Sequence, residues 1–360
     1  MHSAELKRLA LDAGFDFAGI AAAAAPLPEY EWYWEWLSRG FSAGMPYLAG
    51  RRGGLRSDPR NLLPSARSVL CVAKRYDEAQ DESAPRRGGS ISKYARRDDY
   101  HDVIRAGLER VAAKLPPCSW KICVDTAPLL ERALARRAGI GWIGRNSCVI
   151  REDAGSFFFL GELLISLPFE PDAPPPDRCG SCTRCIRACP TGAIVPTGRE
   201  APAWTVDSRL CISYLTIENR GATPGNLRPR AGDHVFGCDI CQDVCPWNER
   251  ARAAGAAAGA AAFPARIPAA PPLEELAALD EAGFRSLFRG TPVLRARYAG
   301  FLRNVAVAIG NIAAENAASG NAATASLRAS LGRLAAHADP LVREHAAWAL
   351  ARLRDKRERS

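Results

Sequence analysis

Eight of the twelve cysteines fall between Cys179 and Cys245, and their spacing constrains this chain more than any other feature of its 360 residues. The first run is Cys179-x2-Cys182-x2-Cys185-x3-Cys189-Pro190. The second is Cys211, followed by Cys238-x2-Cys241-x3-Cys245-Pro246. Three thiolates two residues apart can hold three corners of one iron–sulfur cube, while the cysteine before proline reaches the other cube. The crossed arrangement assigns one [4Fe–4S] cluster to Cys179, Cys182, Cys185 and Cys245, and a second to Cys189, Cys211, Cys238 and Cys241. Structural zinc is the alternative, but it favours separated Cys-x2-Cys pairs or Cys/His sets, and neither run has that form. Disulfides are rarer still in a reducing cytoplasm.

The runs follow the bacterial ferredoxin pattern, so this segment is expected to form a ferredoxin-like two-cluster module. Cys71, Cys118, Cys123 and Cys148 lie outside it. Cys71 and Cys123 sit in apolar runs that read as buried strands, where a free thiol acts as a small hydrophobe, and the four carry no expected chemistry.

Around this module the chain changes character twice. Residues 1–166 alternate helical and strand patterns: Ala4–Ala13 helical, Val69–Ala73 extended, Tyr100–Leu115 helical, Trp120–Val124 and Phe157–Leu167 extended. A helix is expected to open at Thr126 and stop at Gly139. The expected class is multidomain α+β with an N-terminal α/β domain. Pro168–Arg178 holds five prolines and leads into the cluster module at 167–250. An Ala/Gly/Pro-rich stretch from Ala251 to Pro272 reads as a linker within a connecting segment 251–294. Segment 295–360 carries helical stripes at Leu302, Val305, Ile309 and Ile312, then at Leu327, Leu331 and Leu334. A last helix is capped by Asp339-Pro340. This pattern resembles HEAT-type repeats, too few to stand alone, so it must dock on the preceding domains.

The net charge is +9, carried by 42 Arg and only 6 Lys. Arginine pairs bidentately with phosphate, which suits a nucleic-acid partner, although a GC-rich coding bias produces the same excess. Arg295, Arg297, Arg303, Arg328, Arg333 and Arg343 lie near the C-terminal helices and form a candidate phosphate-facing surface. No stretch approaches the roughly 18–20 apolar residues of a membrane helix. Asp12 and Asp16 interrupt what would be the core of a signal peptide, so a cytoplasmic protein is expected. Dinucleotide and Walker fingerprints are absent. Two clusters in series make a one-electron wire, and a wire needs a terminus in residues 1–166.

Further motifs carry a family resemblance across nearly the whole chain. They are Val124-Asp125-Thr126, Arg132-Ala133, the run Arg137-Ala138-Gly139-Ile140-Gly141-Trp142-Ile143-Gly144-Arg145-Asn146, Gly155-Ser156 and Pro168-Phe169-Glu170-Pro171-Asp172. Gly237-Cys238-Asp239-Ile240-Cys241-Gln242 and the Val342-Arg343 to Trp348-Ala349 ending complete the set. With both cysteine runs, they resemble the cobalamin-dependent tRNA epoxyqueuosine reductases.

The resemblance implies two [4Fe–4S] clusters feeding a base-off cobalamin, tRNA carrying epoxyqueuosine as partner, an unidentified low-potential electron donor, no membrane, and a monomer. It makes Asp125 the proton donor, also touching the corrin, and implies corrin contacts at Arg56, Asp99, Asn146, Leu160 and Ser213. With tRNA as partner, its expected contacts are Arg295, Arg297, Arg303 and Arg343 of the candidate phosphate-facing surface near the C-terminal helices. To donate, Asp125 must be protonated near neutral pH, which requires burial or a nearby negative charge. Read by themselves, the residues also allow Asp125 to be the N-cap of the helix expected at Thr126. Asp98 competes with Asp99 for its role. A reductive dehalogenase would share the cofactors, and a non-catalytic electron carrier would share only the clusters.

Overall fold

The computed structural model describes residues 1–23, 27–77, 88–255, 263–316 and 323–357. The N-terminal part begins with α1 (Ser3–Asp12), β1 (Phe17–Ala22), α2 (Glu29–Ser38), α3 (Gly50–Leu55), β2 (Ser68–Arg75) and β3 (Ser90–Ile91). It continues with α4 (Tyr100–Ala112), β4 (Trp120–Cys123), α5 (Glu131–Arg137), β5 (Trp142–Ile143), β6 (Val149–Ile150) and β7 (Phe158–Ile165).

Its sheet has the order β1-β2-β7-β4, and all three pairings are antiparallel. The period-2 alternation of β2 shows why it is central. Leu70 and Val72 pack with α1 and α4 on one face, while Val69, Cys71 and Ala73 pack with α5 on the other. Both faces are covered, so β2 and β7 read as continuous apolar runs. Helix α4 buries Ile104, Leu108 and Val111, each contributing about 1.5–3 kcal/mol against exposure. The expected N-terminal α/β domain is corrected: with no parallel pairing in this sheet, the domain is α+β. Strand β1 was not expected, because Gly19 and its alanines carry weak strand propensity.

The cluster module holds α6 (Arg184–Ala188), β8 (Ile194–Pro196), β9 (Trp204–Val206), α7 (Ile212–Ile217), β10 (His234–Phe236), α8 (Ile240–Asp243) and α9 (Pro246–Ala253). A parallel pairing of β10 with β3 ties it to the N-terminal part. The chain ends in α10 (Leu273–Ala278), α11 (Glu281–Leu287), α12 (Tyr298–Asn316), α13 (Ala323–Ala335) and α14 (Pro340–Arg357). As expected, Asp339 caps α14, accepting the Leu341 N–H at 2.8 Å.

The C-terminal helices share one core with Ile91, Ile217, Val235 and Phe236, so they dock on both preceding parts. Much of the expected linker is also docked. Residues 256–262 of that stretch lie outside the described residues. Beyond them Phe263 and Ile267 are buried, and Arg266 and Ile267 both donate backbone N–H groups to the Arg96 carbonyl. Among the described residues, no helix is long and apolar enough to cross a membrane.

Candidate active site

The crossed cysteine sets come together in space. Cys179, Cys182, Cys185 and Cys245 line one cavity, with Arg145, Asn146 and Trp247 at its wall. The Cys185 thiol is pushed up to about 11, by burial first and then by Cys179, Cys245 and Cys182. The Cys238 thiol rises to about 12 through burial and the nearness of Cys211, Asp239 and Cys189, and Cys241 rises with Cys238 and Cys211 beside it. Each set therefore repels its own members, and iron would supply the compensating positive charge. No three His, Cys, Asp or Glu among the described residues close on a single ion. Four thiols around a cavity fit a larger cubane instead.

Asp125 follows β4 at a backbone φ of 43°, a left-handed turn that Asp tolerates better than most residues. It does not cap a helix. Pro128 keeps Ala127 out of helical geometry, and α5 begins only at Glu131 with Leu130 as its N-cap. The carbonyls of the turn are gripped by two arginines. Arg52 reaches the Thr126 oxygen at 2.5 Å, and Arg56 reaches those of Ala127 and Leu129 at 3.3 and 3.0 Å.

The carboxylate of Asp125 faces α4. His101 Nε2 lies 3.3 Å from Asp125 Oδ2, and His101 Nδ1 lies 2.7 Å from Asp99 Oδ1. Asp99 also accepts the His101 backbone N–H at 3.0 Å, which caps α4 and fixes the ring. Tyr100 stacks on Phe159 at 4.5 Å, and its hydroxyl lies near enough to Asp125 to lower that carboxyl's pKa. His101 is pushed up to about 9 by its bonds to Asp125 and Asp99, with burial opposing. Desolvation raises Asp125, but His101 and Tyr100 outweigh it and hold the carboxyl below its ordinary range. The expectation of a protonated resting Asp125 is thereby corrected. Its side chain is 55% accessible, and the site's proton rests on His101.

Comparison with known proteins decides the family. Residues 178–248 match the family model described as a 4Fe-4S double cluster binding domain, and residues 56–126 match epoxyqueuosine reductase QueG, DUF1730. An epoxyqueuosine reductase of Xanthomonas campestris pv. campestris is 39% identical over 359 residues, covering 97% of this chain and 95% of the relative. The chain belongs to the epoxyqueuosine reductase family. The epoxyqueuosine reductase of Escherichia coli K12 is 38% identical over 330 residues, 89% of this chain and 82% of that protein. A Bacillus subtilis epoxyqueuosine reductase, solved with its catalytic aspartate loop swung out of the active site, superposes with a TM-score of 0.82. It is 29% identical, covering 99% of this chain and 92% of that one. Another, with an epoxyqueuosine-modified tRNA-Tyr stem loop, gives 0.81 at 28% identity, covering 99% and 92%.

As an epoxyqueuosine reductase family member, the chain is an oxidoreductase with a double-cluster domain. The other residues expected from sequence are placed unevenly. Arg56 is buried and clamps the Asp125 turn, with its Nε on the Tyr33 hydroxyl at 3.1 Å. Asp99 bonds the His101 ring, while Asp98 points outward to Arg266. Asn146 is buried, accepting the Cys148 N–H at 3.2 Å and donating to the Cys241 carbonyl at 3.4 Å. It joins the N-terminal part to the second cysteine set. Leu160 is half-buried on β7, and Ser213 lies in the first turn of α7 beside Cys211.

Among the arginines, Arg303 is corrected. It is wholly buried and donates to the carbonyls of Leu215, Asn219 and Gly221, so no phosphate reaches it. Arg295 grips Glu218 at 2.8 and 3.0 Å above the Tyr47 ring, close enough to act on Asp125. Arg297 is exposed at a φ of 60°. Arg343 is exposed and caps the end of α13 through the His337 and Ala338 carbonyls.

Sequence reasoning missed His101, Glu131, Arg220 and Cys148. His101 carried a signal, since it follows the capping Asp99 by two residues. Arg220 hydrogen-bonds the Arg295 carbonyl at 2.9 Å and joins the basic rim. Cys148, given no chemistry, lies near thiols of both sets.

Proposed function

We propose that this chain reduces the epoxide of epoxyqueuosine in tRNA to the alkene of queuosine, in the cytoplasm, with Asp125 and His101 handling the proton. The observation that carries this reading is the line Asp99–His101–Asp125 at the edge of a double-cluster module. The reaction consumes two electrons and two protons and releases the oxygen as water. Cys179, Cys182, Cys185 and Cys245 would hold one [4Fe–4S] cluster and Cys189, Cys211, Cys238 and Cys241 the other, and the two would supply electrons one at a time.

Cobalamin, when bound, supplies a low-potential metal centre at which the epoxide carbon is reduced. Half-buried Leu160 on β7 and Ser213 in α7 would meet the corrin as an apolar and a polar contact. Both His101 nitrogens face carboxylates, Nδ1 toward Asp99 and Nε2 toward Asp125. Arg56, Asp99 and Asn146 serve the site by holding the Asp125 turn, the His101 ring and the cluster loop.

Of the two protons required by the departing oxygen, one is stored on His101 and the second comes from solvent, which reaches the 55% accessible Asp125 side chain. Transfer across the 3.3 Å contact makes Asp125 a neutral acid, and its low resting pKa then makes it a strong donor. The division into domains 1–166, 167–250, 251–294 and 295–360, the last a HEAT-like tRNA-binding unit, belongs to the same proposal. Arg295, Arg297, Arg333 and Arg343, with Arg220, are exposed and open to phosphate, and Arg328 is half-buried.

The test is an anaerobic assay of cluster-reconstituted, cobalamin-loaded protein on tRNA from cells lacking the reductase, with nucleosides read by mass spectrometry. Reductant-dependent loss of one oxygen, abolished in Asp125→Ala, is the expected result. No conversion by fully loaded protein would leave a corrinoid redox protein with another substrate.

A further inference from the structure

The steps above leave two acids unused, one buried and one half-buried. Glu162 on β7 is 0% exposed, lies in register between Cys71 of β2 and Cys123 of β4, and faces α5. Neither of its oxygens meets a hydrogen-bond donor among the described residues. Glu131, at the start of α5, accepts the backbone N–H of Asp125. Glu162 stands opposite Cys123, and Glu131 holds the amide two residues further along, so the fold brings both carboxyls to the end of β4, where each raises the other. Two carboxylates offer each other only lone pairs, so a bond between them needs a proton on one.

We propose that Glu162 remains protonated and donates to Glu131, and that this shared-proton pair fixes the Asp125 turn through the Asp125 amide. Glu131 is then a positioning residue for Asp125, and the proposal rests on the role given to Asp125 above. The deeper member of the pair keeps the proton because ionised Glu162 would have only apolar strand neighbours and two thiols around it. Burial and Glu131 push it well up. Glu131 receives two donors, the Glu162 O–H and the Asp125 N–H, which suits an anion.

The turn is thus held from both sides, its carbonyls by Arg52 and Arg56 and its amide by Glu131. The charges facing Glu131 are Asp125, Glu162 and Arg132. Burial, then Asp125, raises Glu131 to about 7, so its anion strengthens the amide bond only above that pH. The Asp125 turn should therefore tighten as pH rises through 7.

The experiment uses the full chain with its clusters intact and needs neither tRNA nor corrinoid. Infrared difference spectra report protonated carboxyl groups. Hydrogen exchange of the peptide Val124–Leu130, corrected for the intrinsic pH dependence, reports the turn. Wild type should show a protonated-carboxyl band at pH 8 that Glu162→Gln removes, and protection that rises through pH 7. Glu131→Gln should flatten that rise, and Glu131→Ala should lose protection by roughly tenfold or more. Glu162→Gln should retain protection, since its amide still donates to Glu131. A wild-type spectrum with no such band at pH 8, or wild-type protection in Glu131→Ala, would overturn the proposal. If these measurements agree with it while Asp125→Asn still converts epoxyqueuosine, the pair stands and the catalytic reading of Asp125 fails.

Discussion

His101 is shared by two carboxylates, its Nε2 3.3 Å from Asp125 at the end of a strand and its Nδ1 2.7 Å from Asp99 at the start of a helix. One ring therefore couples the cap of α4 to the turn after β4. Its ordinary pKa of 6.5 is raised to about 9, so the imidazolium pairing is fully present below about pH 6.5 and is lost as pH rises through 9. Single-turnover conversion of epoxyqueuosine should fall on an alkaline limb near pH 9. His101→Gln should lower the rate roughly 10²–10⁴-fold and remove that limb. A limb unchanged in the variant would assign it to another group.

Arg303 and Arg297 sit close in sequence yet should behave as opposites. Arg303 fills three carbonyls inside the fold, and burial pushes it down to about 10, so Arg303→Ala should destabilise the protein by about 3 kcal/mol or more. Its effect on tRNA affinity in the folded fraction should be small. Arg297→Glu should leave the melting temperature unchanged, weaken tRNA binding, and reduce the slope of log K against log salt by about one. Thermal melts and filter binding at several salt concentrations separate the two.

The contrast between these arginines marks what the sequence could carry. Cysteine spacing is short-range chemistry, so the double-cluster domain was legible from intervals alone. Helices such as α4 and α14 were legible because cap and apolar period agree along one segment. Strand direction was not, because β7 pairs with β2 and β4 across long intervening stretches of chain and nothing local states their sense. The same holds for Arg303, whose apolar helical surroundings hide that the carbonyls of residues 215–221 return to meet it. Asp125 could be named from the family pattern, but its low pKa depends on His101, which only the packing of α4 against β7 brings near.

The crossed ligand sets predict which cluster each cysteine serves. Cys245 belongs to the second run in sequence but lines the cavity of the first. Cys245→Ser should therefore perturb the same electron paramagnetic resonance signal as Cys182→Ser and leave the other cluster's signal in place, with about half the iron lost. Cys189→Ser should perturb the signal that Cys238→Ser does. If Cys245→Ser and Cys238→Ser altered one signal together, the sets would be uncrossed.

Glu162 should cost the protein stability in a pH-dependent way. In the fold its carboxyl is held well above the ordinary 4.5, so it is neutral there, whereas the unfolded chain ionises it above about 4.5. The unfolded state is then favoured progressively as pH rises from 4.5 toward the folded pKa. Glu162→Gln removes this term and keeps an N–H facing Glu131. At pH 5 the variant should match wild type within about 0.5 kcal/mol. At pH 8 it should be more stable by roughly 1–3 kcal/mol. Anaerobic melting of the cluster-loaded proteins at the two pH values measures the difference. A variant less stable at pH 8 than at pH 5, relative to wild type, would mean that Glu162 is ionised in the fold and has a cationic partner.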